Sequence, residues 1–307
     1  MFDHLLAWDP RNLAILEQAS DVLGRDLKRH FRSDNPTVFE RNRDVQLGVF
    51  LANHMHWQNL QRQGLEAEYS AGLSLGEFNH LVHIGALDFE EALRILEVRG
   101  LAYEEGPEGV MTAVFPVGPE EIEELLERTR TDGQVGIGMY NTPRQCVLSG
   151  QADLVERLAL QAEEEFYAQS RVIEERLPMH SPRFRSTGEV LRPALEAACW
   201  RTPERPYLPN LTGEFLAEPD RVGFIDCLSR HTWNPVRWRE SMECLSRQEK
   251  DLIFVETGPK SVLTDFFGRK WLDPKRYTTD SEGDFGASMA TLVEELLSGP
   301  AGAAFHR

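Results

Sequence analysis

The chain has 307 residues, 41% of them hydrophobic, and a formal net charge of −17 at pH 7. This length accommodates one large α/β domain or two modest ones, and so acidic a surface argues against nucleic acid as a partner. Because there is no apolar run of about 18 residues and residues 1–9 lack a signal-peptide pattern, we expect no membrane partner and a cytoplasmic location.

The first part of the chain is predicted to be helical. Residues 10–33 carry apolar side chains at roughly helical spacing, which predicts one helix over that range. Residues 44–63 form a second and longer helical pattern. Gly64 is well placed to end it, because glycine readily adopts the left-handed conformation that follows many helices.

A Gly-x-Ser-x-Gly pentapeptide follows at residues 72–76. Residues 65–71 are predicted to form a short strand and residues 75–84 a helix. Strand, tight turn and helix together lift a serine hydroxyl out of the backbone at a helix N-terminus. The glycines permit the sharp turn, and the free N–H groups of the helix can receive an oxyanion. The pattern predicts that Ser74 forms an acyl-enzyme.

The next helical pattern covers residues 89–100. Asp88 precedes it and Glu91 lies three positions further on, which predicts a capping box. Arg99 stands at its end. On the residues alone, a cation that stabilises the helix C-terminus is the favoured interpretation, and a guanidinium that binds a substrate carboxylate is the alternative.

The pattern of hydrophobic residues along the chain changes near Val110. Alternating and amphipathic patterns predict the order β-α-β-β-α-β, which is the ferredoxin-like arrangement. The predicted strands are 111–117, 135–140, 145–149 and 171–177, and the predicted helices are 120–131 and 152–167. We expect residues 110–177 to be a subdomain inserted into a large domain made of residues 1–109 and 178–307.

Helical and buried-strand signals resume after this insertion. We expect helices at 191–199, 224–231, 239–247 and 286–297, and short strands at 208–211 and 252–255. The four cysteines are far apart in sequence and form no Cys-x-x-Cys pair. They fit reduced thiols better than disulfides or a metal site, and we expect no metal.

A serine nucleophile needs a base, and His180 is the best placed of the nine histidines. It leaves a predicted strand and enters a proline-marked loop, a position from which side chains project into clefts. No acidic residue between Ser74 and His180 stands out as a third member. We therefore expect a Ser–His dyad whose histidine is oriented by a backbone carbonyl.

Taken together, these motifs resemble those of the malonyl-CoA:acyl-carrier-protein transacylase family, which includes acyltransferases of fatty-acid and polyketide synthesis. Residues 72–78 are similar to its nucleophile motif, Gly-His-Ser-Leu-Gly-Glu-Tyr/Phe. Further segments that resemble the family are 85–93, 98–100, 111–114, 140–150, 179–182, 234–238 and 255–263. The similarity runs from about residue 10 to residue 268.

This resemblance implies an α/β fold, with an α/β-hydrolase-like large domain and an inserted ferredoxin-like subdomain. It implies that Ser74 is the nucleophile, His180 the base and the Leu75 N–H an oxyanion donor. The reaction it implies is ping-pong. An acyl group passes from acyl-CoA to the serine and then to the phosphopantetheine thiol of an acyl carrier protein, with no bound cofactor.

Further site residues follow from the same resemblance. Arg99 is expected to pair with a malonyl carboxylate, which reverses the interpretation favoured by the residues alone. Gln46 is expected to line the acyl pocket. His231 is expected to orient His180 through its backbone carbonyl.

The chain also departs from the family pattern. The family opens with a strand and a Phe-Pro-Gly-Gln-Gly-x-Gln motif that this sequence does not show, and we interpret the difference as a truncation. Leu73 stands where a histidine is usual, which makes the pocket wall more apolar. Met179 replaces a common phenylalanine, and its flexibility predicts room for an acyl group larger than malonyl.

Carrier proteins are usually acidic, so an acidic enzyme needs a basic rim for docking. The cluster close to His180 in sequence is expected to provide it, and it comprises Arg171, Arg176, Arg183 and Arg185. We expect a monomer. The alternatives are an acyl hydrolase that clears carrier proteins, a transacylase for a non-malonyl or larger acyl group, with carrier-to-carrier transfer as one option, and a non-catalytic scaffold.

Overall fold

The computed structural model describes residues 2–249, 251–268, 270–280 and 285–298. Its helices are α1 Asp3–Trp8, α2 Asn12–Leu23, α3 Leu27–His30, α4 Asn42–Arg62, α5 Gly76–His83, α6 Phe89–Glu104, α7 Pro119–Thr129, α8 Ala152–Phe166, α9 Arg185–Ala197, α10 Arg221–His231, α11 Trp238–Ser246 and α12 Phe285–Ser298. Its strands are β1 Val110–Phe115, β2 Val135–Thr142, β3 Gln145–Gly150, β4 Gln169–Glu174, β5 Ile253–Glu256 and β6 Lys275–Thr278. The chain has the α/β fold that the sequence predicts.

The largest hydrophobic core lies among helices α2, α4, α5, α6, α9 and α10. One buried side chain from each of these helices is Leu16, Phe50, Phe78, Leu96, Leu191 and Phe224. At Gly100, α6 comes so close to α4 that an added Cβ would lie 2.4 Å from the Cα of Arg43. This contact fixes the spacing of the two helices that carry Gln46 and Arg99.

Two details of the helix predictions were wrong. The predicted helix 10–33 is divided into α2 and α3, because Gly24 adopts a left-handed conformation with φ of 62° and ends α2. At the start of α6, Asp88 makes no side-chain capping bond. Its carboxylate instead accepts a hydrogen bond from Nη2 of Arg201 at 2.5 Å, so the capping box does not form. The predicted long helix after Asp44 and its end before Gly64 are confirmed.

Strands β1 to β4 form an antiparallel sheet in the order β2-β3-β1-β4. This order, with α7 and α8 as the two crossing helices, is that of a ferredoxin-like unit. The helices cover one face of the sheet through Val114, Ile122, Leu148, Val155 and Leu158. Strand β4 is an edge strand with most of its residues exposed. The subdomain boundaries at residues 110 and 177 stay a prediction.

The other face of this sheet packs on the rest of the chain. Met111, Met139 and Val147 contact a cluster that includes Leu208 and Trp238. The backbone joins the two parts as well, since the Tyr140 amide donates to the Val236 carbonyl and the Val236 amide to the Gly138 carbonyl, both at 2.9 Å. Leu73 and Met179 pack against the same cluster.

The predicted strands at 65–71 and 208–211 are wrong, whereas the strand predicted at 252–255 is confirmed as β5, which pairs in parallel with β6. Residues 65–71 and 208–211 have no strand partner among the described residues. The Leu208 amide donates to Nε2 of His80 at 3.0 Å. Within the described ranges, no helix has both the length and the apolar character needed to cross a bilayer.

Candidate active site

The turn before α5 presents the hydroxyl of Ser74. Ser74 has φ of 51°, a left-handed conformation that costs a non-glycine residue energy. The turn is closed by hydrogen bonds from the Gly76 amide to the Leu73 carbonyl at 2.9 Å and from the Glu77 amide to the Ser74 carbonyl at 3.1 Å. At Gly72 an added Cβ would lie 1.9 Å from the Gly76 carbonyl oxygen, so only glycine fits there.

Asn210 holds this turn from the other side, and sequence reasoning missed it. Its Oδ1 accepts from the Ser74 amide, and its Nδ2 donates to the Gly72 carbonyl, both at 2.6 Å. The side chain is 1% exposed. Because Asn210 is far from Ser74 in sequence and belongs to no motif, no local signal pointed to it.

The structure brings Ser74 and His180 together. The Ser74 Oγ lies 2.8 Å from Nε2 of His180, and Nδ1 of His180 lies 2.8 Å from the carbonyl oxygen of His231. Because a carbonyl can only accept, Nδ1 carries the proton and Nε2 is free to accept from the serine hydroxyl. His180 itself has φ of 59°. Its amide donates to the Thr232 carbonyl at 3.0 Å.

Burial controls the charge of this histidine. Loss of solvation, assisted by the positive charge of Arg99, lowers the pKa of His180 to about 4. The imidazole is therefore neutral near pH 7 and is able to take a proton from Ser74. This geometry suits nucleophilic attack by a serine with a neutral histidine as general base.

Arg99 lies inside α6, which continues to Glu104, so the interpretation of Arg99 as a cation at a helix C-terminus is wrong. Its Nη1 donates to Oε1 of Gln46 at 2.6 Å, and its Nη2 lies 3.5 Å from the Ser74 Oγ. The guanidinium carbon is 4.3 Å from the ring centroid of Tyr103 and 5.8 Å from that of Phe78. Burial lowers the pKa of Arg99, but a guanidinium stays charged.

No carboxylate among the described residues forms an ion pair with Arg99, which is 2% exposed. Buried charges in proteins are normally paired. The site therefore holds a cation without an ion-pair partner beside the serine hydroxyl, which is an arrangement suited to an anionic ligand.

The other predicted site residues lie around this centre. Leu75 directly precedes α5, so its N–H stands at the positive end of that helix. Leu73 and Met179 are partly buried in the cluster between the sheet and the rest of the chain. The carbonyl of Met179 accepts from the Ser149 hydroxyl at 2.6 Å, which fixes the backbone just before His180.

The four arginines near His180 differ in their surroundings. Arg171, Arg176 and Arg185 are exposed, and the guanidinium of Arg185 lies over the ring of Trp233 at 4.7 Å. Arg183 is partly buried. It donates to Oε1 of Gln134 and, at 3.3 Å, to the carbonyl of Glu108, so its charge is partly used inside the protein.

The described residues include no group of three or more His, Cys, Asp or Glu side chains that could hold a metal ion. Cys146, Cys227 and Cys244 are buried and Cys199 is exposed, and all four are free thiols. Burial raises the pKa of Cys146 and of Cys227 to about 12, so neither is a thiolate at neutral pH.

Known proteins with similar sequences are acyltransferases. Residues 15–274 match the family model described as acyl transferase domain. A malonyl CoA-acyl carrier protein transacylase of Bacillus subtilis is 31% identical over 256 residues, which cover 81% of this chain and 62% of that relative. A Haemophilus influenzae protein of the same name is 29% identical and covers 94% of this chain and 91% of the relative. This chain thus spans less than two thirds of the first relative and most of the second.

Solved structures that resemble this chain are also transacylases. A transacylase of Streptococcus pneumoniae has a TM-score of 0.86 and 27% identity, covering 96% of this chain and 95% of that one. A complex of a type II polyketide-synthase acyl carrier protein with its malonyl-transacylase has a TM-score of 0.85 and 26% identity, covering 96% and 94%.

Proposed function

Because the chain belongs to the acyl transferase domain family, we propose that it is an acyltransferase that moves a malonyl-type acyl group from coenzyme A to an acyl carrier protein. The transfer runs through an acyl ester on Ser74 to the phosphopantetheine thiol of the carrier, in fatty-acid or polyketide synthesis. The malonyl-transacylases among its relatives support this substrate class. We place the enzyme in the cytoplasm and regard it as a monomer without a bound cofactor.

One observation carries the proposal. Arg99 is buried, unpaired with any described carboxylate, and 3.5 Å from the Ser74 Oγ. An acyl group that ends in a carboxylate can place this anion on the guanidinium while its thioester carbonyl reaches the serine. Gln46 holds Nη1 of Arg99 through a hydrogen bond of 2.6 Å, so we assign it the role of orienting the guanidinium at the pocket wall.

The chemistry uses the dyad twice. His180 Nε2 takes the Ser74 hydroxyl proton while Oγ bonds to the thioester carbon, and the carbonyl electron pair moves to oxygen. When this oxyanion collapses, the carbon–sulfur bond breaks and His180 returns the proton to the departing thiolate of coenzyme A. The carrier thiol then repeats the sequence in reverse and leaves with the acyl group.

We assign the Leu75 N–H as one donor to the oxyanion, since it stands at the positive end of α5. Leu73 and Met179 are assigned to the wall of the acyl pocket, where both are partly buried among apolar side chains. Neither contributes a charge. Discrimination between acyl groups therefore depends on Arg99 for the carboxylate and on these two residues for size.

Docking of an acidic carrier is assigned to the exposed arginines at positions 171, 176 and 185, with Arg183 as a more internal member of the cluster. Double charge reversal, Arg176→Glu with Arg185→Glu, should lower the rate of transfer to the carrier about 10-fold or more at low salt and spare acylation of Ser74. Arg29→Glu on α3 is the matched control. Equal loss in both half-reactions, or in neither, would contradict this docking surface.

Intact-mass spectrometry tests the function itself. Pure protein is incubated with malonyl-CoA or acetyl-CoA, with and without holo carrier protein, and Ser74→Ala serves as the control. We expect a malonyl adduct that requires Ser74, that forms faster than an acetyl adduct, and that moves to the carrier. Rapid hydrolysis without transfer would identify an acyl hydrolase. A preference for larger acyl groups supplied on a carrier would identify a carrier-to-carrier transacylase, and no adduct with any donor would indicate a scaffold.

A further inference from the structure

His231 connects the dyad to a buried acid. Its backbone carbonyl accepts from Nδ1 of His180 at 2.8 Å, and its own side-chain Nδ1 lies 3.1 Å from Oε2 of Glu77. The other carboxyl oxygen of Glu77 accepts from the Tyr207 hydroxyl at 2.6 Å. Glu77, His180 and Tyr207 are each 0% exposed and His231 is 2% exposed. An unbroken chain of polar contacts therefore runs from Ser74 to Tyr207 through the protein interior.

The positions of these residues in the fold are suited to this connection. Glu77 lies in the first turn of α5, directly after the turn that presents Ser74, and the N-terminus of a helix favours a carboxylate. His231 is the last residue of α10, where carbonyl groups lack partners within the helix. The contact between Glu77 and His231 therefore joins the end of α10 to the start of α5. It fixes the position of the His231 carbonyl, which accepts a hydrogen bond from Nδ1 of His180.

The charge of the pair follows from its surroundings. Arg99 on α6, His180, His231 and Cys227 on α10, and Tyr207 are the charged and titratable groups that surround Glu77. Burial raises the pKa of Glu77 to about 7, and burial lowers the pKa of His231 well below its usual value. Above pH 7 the pair is thus a carboxylate in contact with a neutral imidazole, with Oε2 of Glu77 3.1 Å from Nδ1 of His231. Below pH 7 the carboxyl gains a proton and the negative charge disappears.

We propose that Glu77, acting through the side chain of His231, is the acidic positioning residue of this site. It holds the His231 carbonyl against Nδ1 of His180 and offsets the positive charge that His180 acquires while it carries the serine proton. That charge otherwise forms in a buried space beside the cation of Arg99. Glu77 neither gains nor loses a proton in the reaction. The proposal rests on the acyltransferase function proposed above.

The test is the pH dependence of Ser74 acylation in Glu77→Gln, an isosteric variant without the charge. In the wild-type protein the acylation rate should fall as pH decreases through about 7, as Glu77 is protonated. Glu77→Gln should be about 10- to 100-fold slower at pH 8. It should lose the fall near pH 7, keep a fall near the pKa of about 4 of His180, and leave the KM for malonyl-CoA unchanged.

Two further variants separate positioning from a merely structural role. Tyr207→Phe keeps the carboxylate but removes a hydrogen bond that lowers the pKa of Glu77, so the fall in rate should remain and move to higher pH. His231→Gln keeps the backbone carbonyl and offers Glu77 an amide donor, so it should recover most of the rate that His231→Ala loses, again without a change in KM. If Glu77→Gln does not fold, the contrast between these two His231 variants decides the proposal. Equal rates for both would overturn it.

A wild-type rate in Glu77→Gln, or a lower rate with an unchanged pH profile, would also overturn the proposal. Labelling of Ser74 by a small fluorophosphonate is measured in parallel, because it reports on the dyad without any acyl substrate. If malonyl-CoA gives no adduct but fluorophosphonate labelling shows the expected pH dependence, the proposed substrate is wrong and the role of Glu77 stands.

Discussion

Helices α4 and α6 carry two neighbouring buried charges. The first is paired with opposite charges, and the second is not. At the first, Asp44 is surrounded by Nη2 of Arg25 at 2.8 Å, Nε2 of His30 at 3.2 Å and Nε of Arg43 at 3.3 Å. At the second, Arg99 has the neutral amide of Gln46 as its hydrogen-bond partner. Gln46 and Asp44 are close neighbours on α4.

The difference in charge pairing indicates a different role for each site. Around Asp44 the charges compensate one another, and Glu97 adds a second carboxylate at 3.3 Å from Arg25. Burial works to raise the pKa of Asp44, but Arg25, His30 and Arg43 outweigh it and hold the pKa below its usual value. That site is complete and structural. Arg99 has no ion-pair partner among the described residues, and Glu77 interacts with it only at longer range, so its guanidinium is free to pair with an anionic ligand.

Removal of the charge at Asp44 should have the largest effect on stability. Asp44→Asn leaves several cations together without their buried anion, which typically costs about 3–5 kcal/mol. Chemical denaturation should show this loss, and Asp21→Asn on the exposed face of α2 should not. The native pKa of Asp44 is depressed, so its contribution is present above the unfolded value of 3.8 and is lost as pH falls through the native pKa. If Asp44→Asn were as stable as the wild-type protein, the charge of Asp44 would not have the structural role that distinguishes it from Arg99.

Removal of the charge at Arg99 should spare stability and impair function. Arg99→Met keeps an apolar stem and deletes a buried cation that has no ion-pair partner, so we expect unchanged or higher stability. Transfer of malonyl should fall about 100-fold or more, whereas transfer of acetyl should not fall. Both rates and the denaturation midpoint are measured, with the exposed Arg94→Met on the same helix as control. A similar fall for both acyl groups would show that Arg99 does not bind the carboxylate of the malonyl group.

Gly100→Ala should disturb both sites at once. The added Cβ would lie 2.4 Å from the Cα of Arg43, so α4 and α6 must separate. Overpacking of this kind costs about 1–3 kcal/mol, and the gain of about 1 kcal/mol from replacing glycine in a helix does not offset it. We expect a lower melting temperature together with weaker malonyl transfer. If only stability falls, the helix spacing does not control the position of Arg99.

The smallest effect should come from the exposed end of the same helix pair. Arg41 pairs with Glu104 at 2.7 Å, but its side chain is 52% exposed. Arg41→Ala should therefore change the free energy of unfolding by no more than about 1 kcal/mol. Acyl transfer should be unchanged. A loss as large as that of Asp44→Asn would mean that exposure does not separate these sites.

The sequence was sufficient wherever a pattern was local. Helical periodicity located α4, and the succession of strand and helix patterns located the sheet order β2-β3-β1-β4. It was insufficient where a distant side chain decides the outcome. Residues 208–211 look like a buried strand, but the Leu208 amide bonds to His80 rather than to a ladder.

The site shows the same limit. Ser74, His180 and Arg99 stand in recognisable motifs, and the structure places them together. Asn210, which clamps the serine turn, and the contact of Glu77 with His231 depend on approaches across the fold. No spacing in the sequence encodes such approaches, because they arise only when α5 and α10 pack against the same core.

The left-handed backbone at Ser74 and at His180 has a practical consequence for protein engineering. Each conformation costs a non-glycine residue about 1–3 kcal/mol. Ser74→Gly would relieve that cost at its position and abolish acylation at the same time. A laboratory selection for heat resistance alone would therefore enrich inactive variants of this chain. Each round of such a selection needs a screen for acyl transfer beside it.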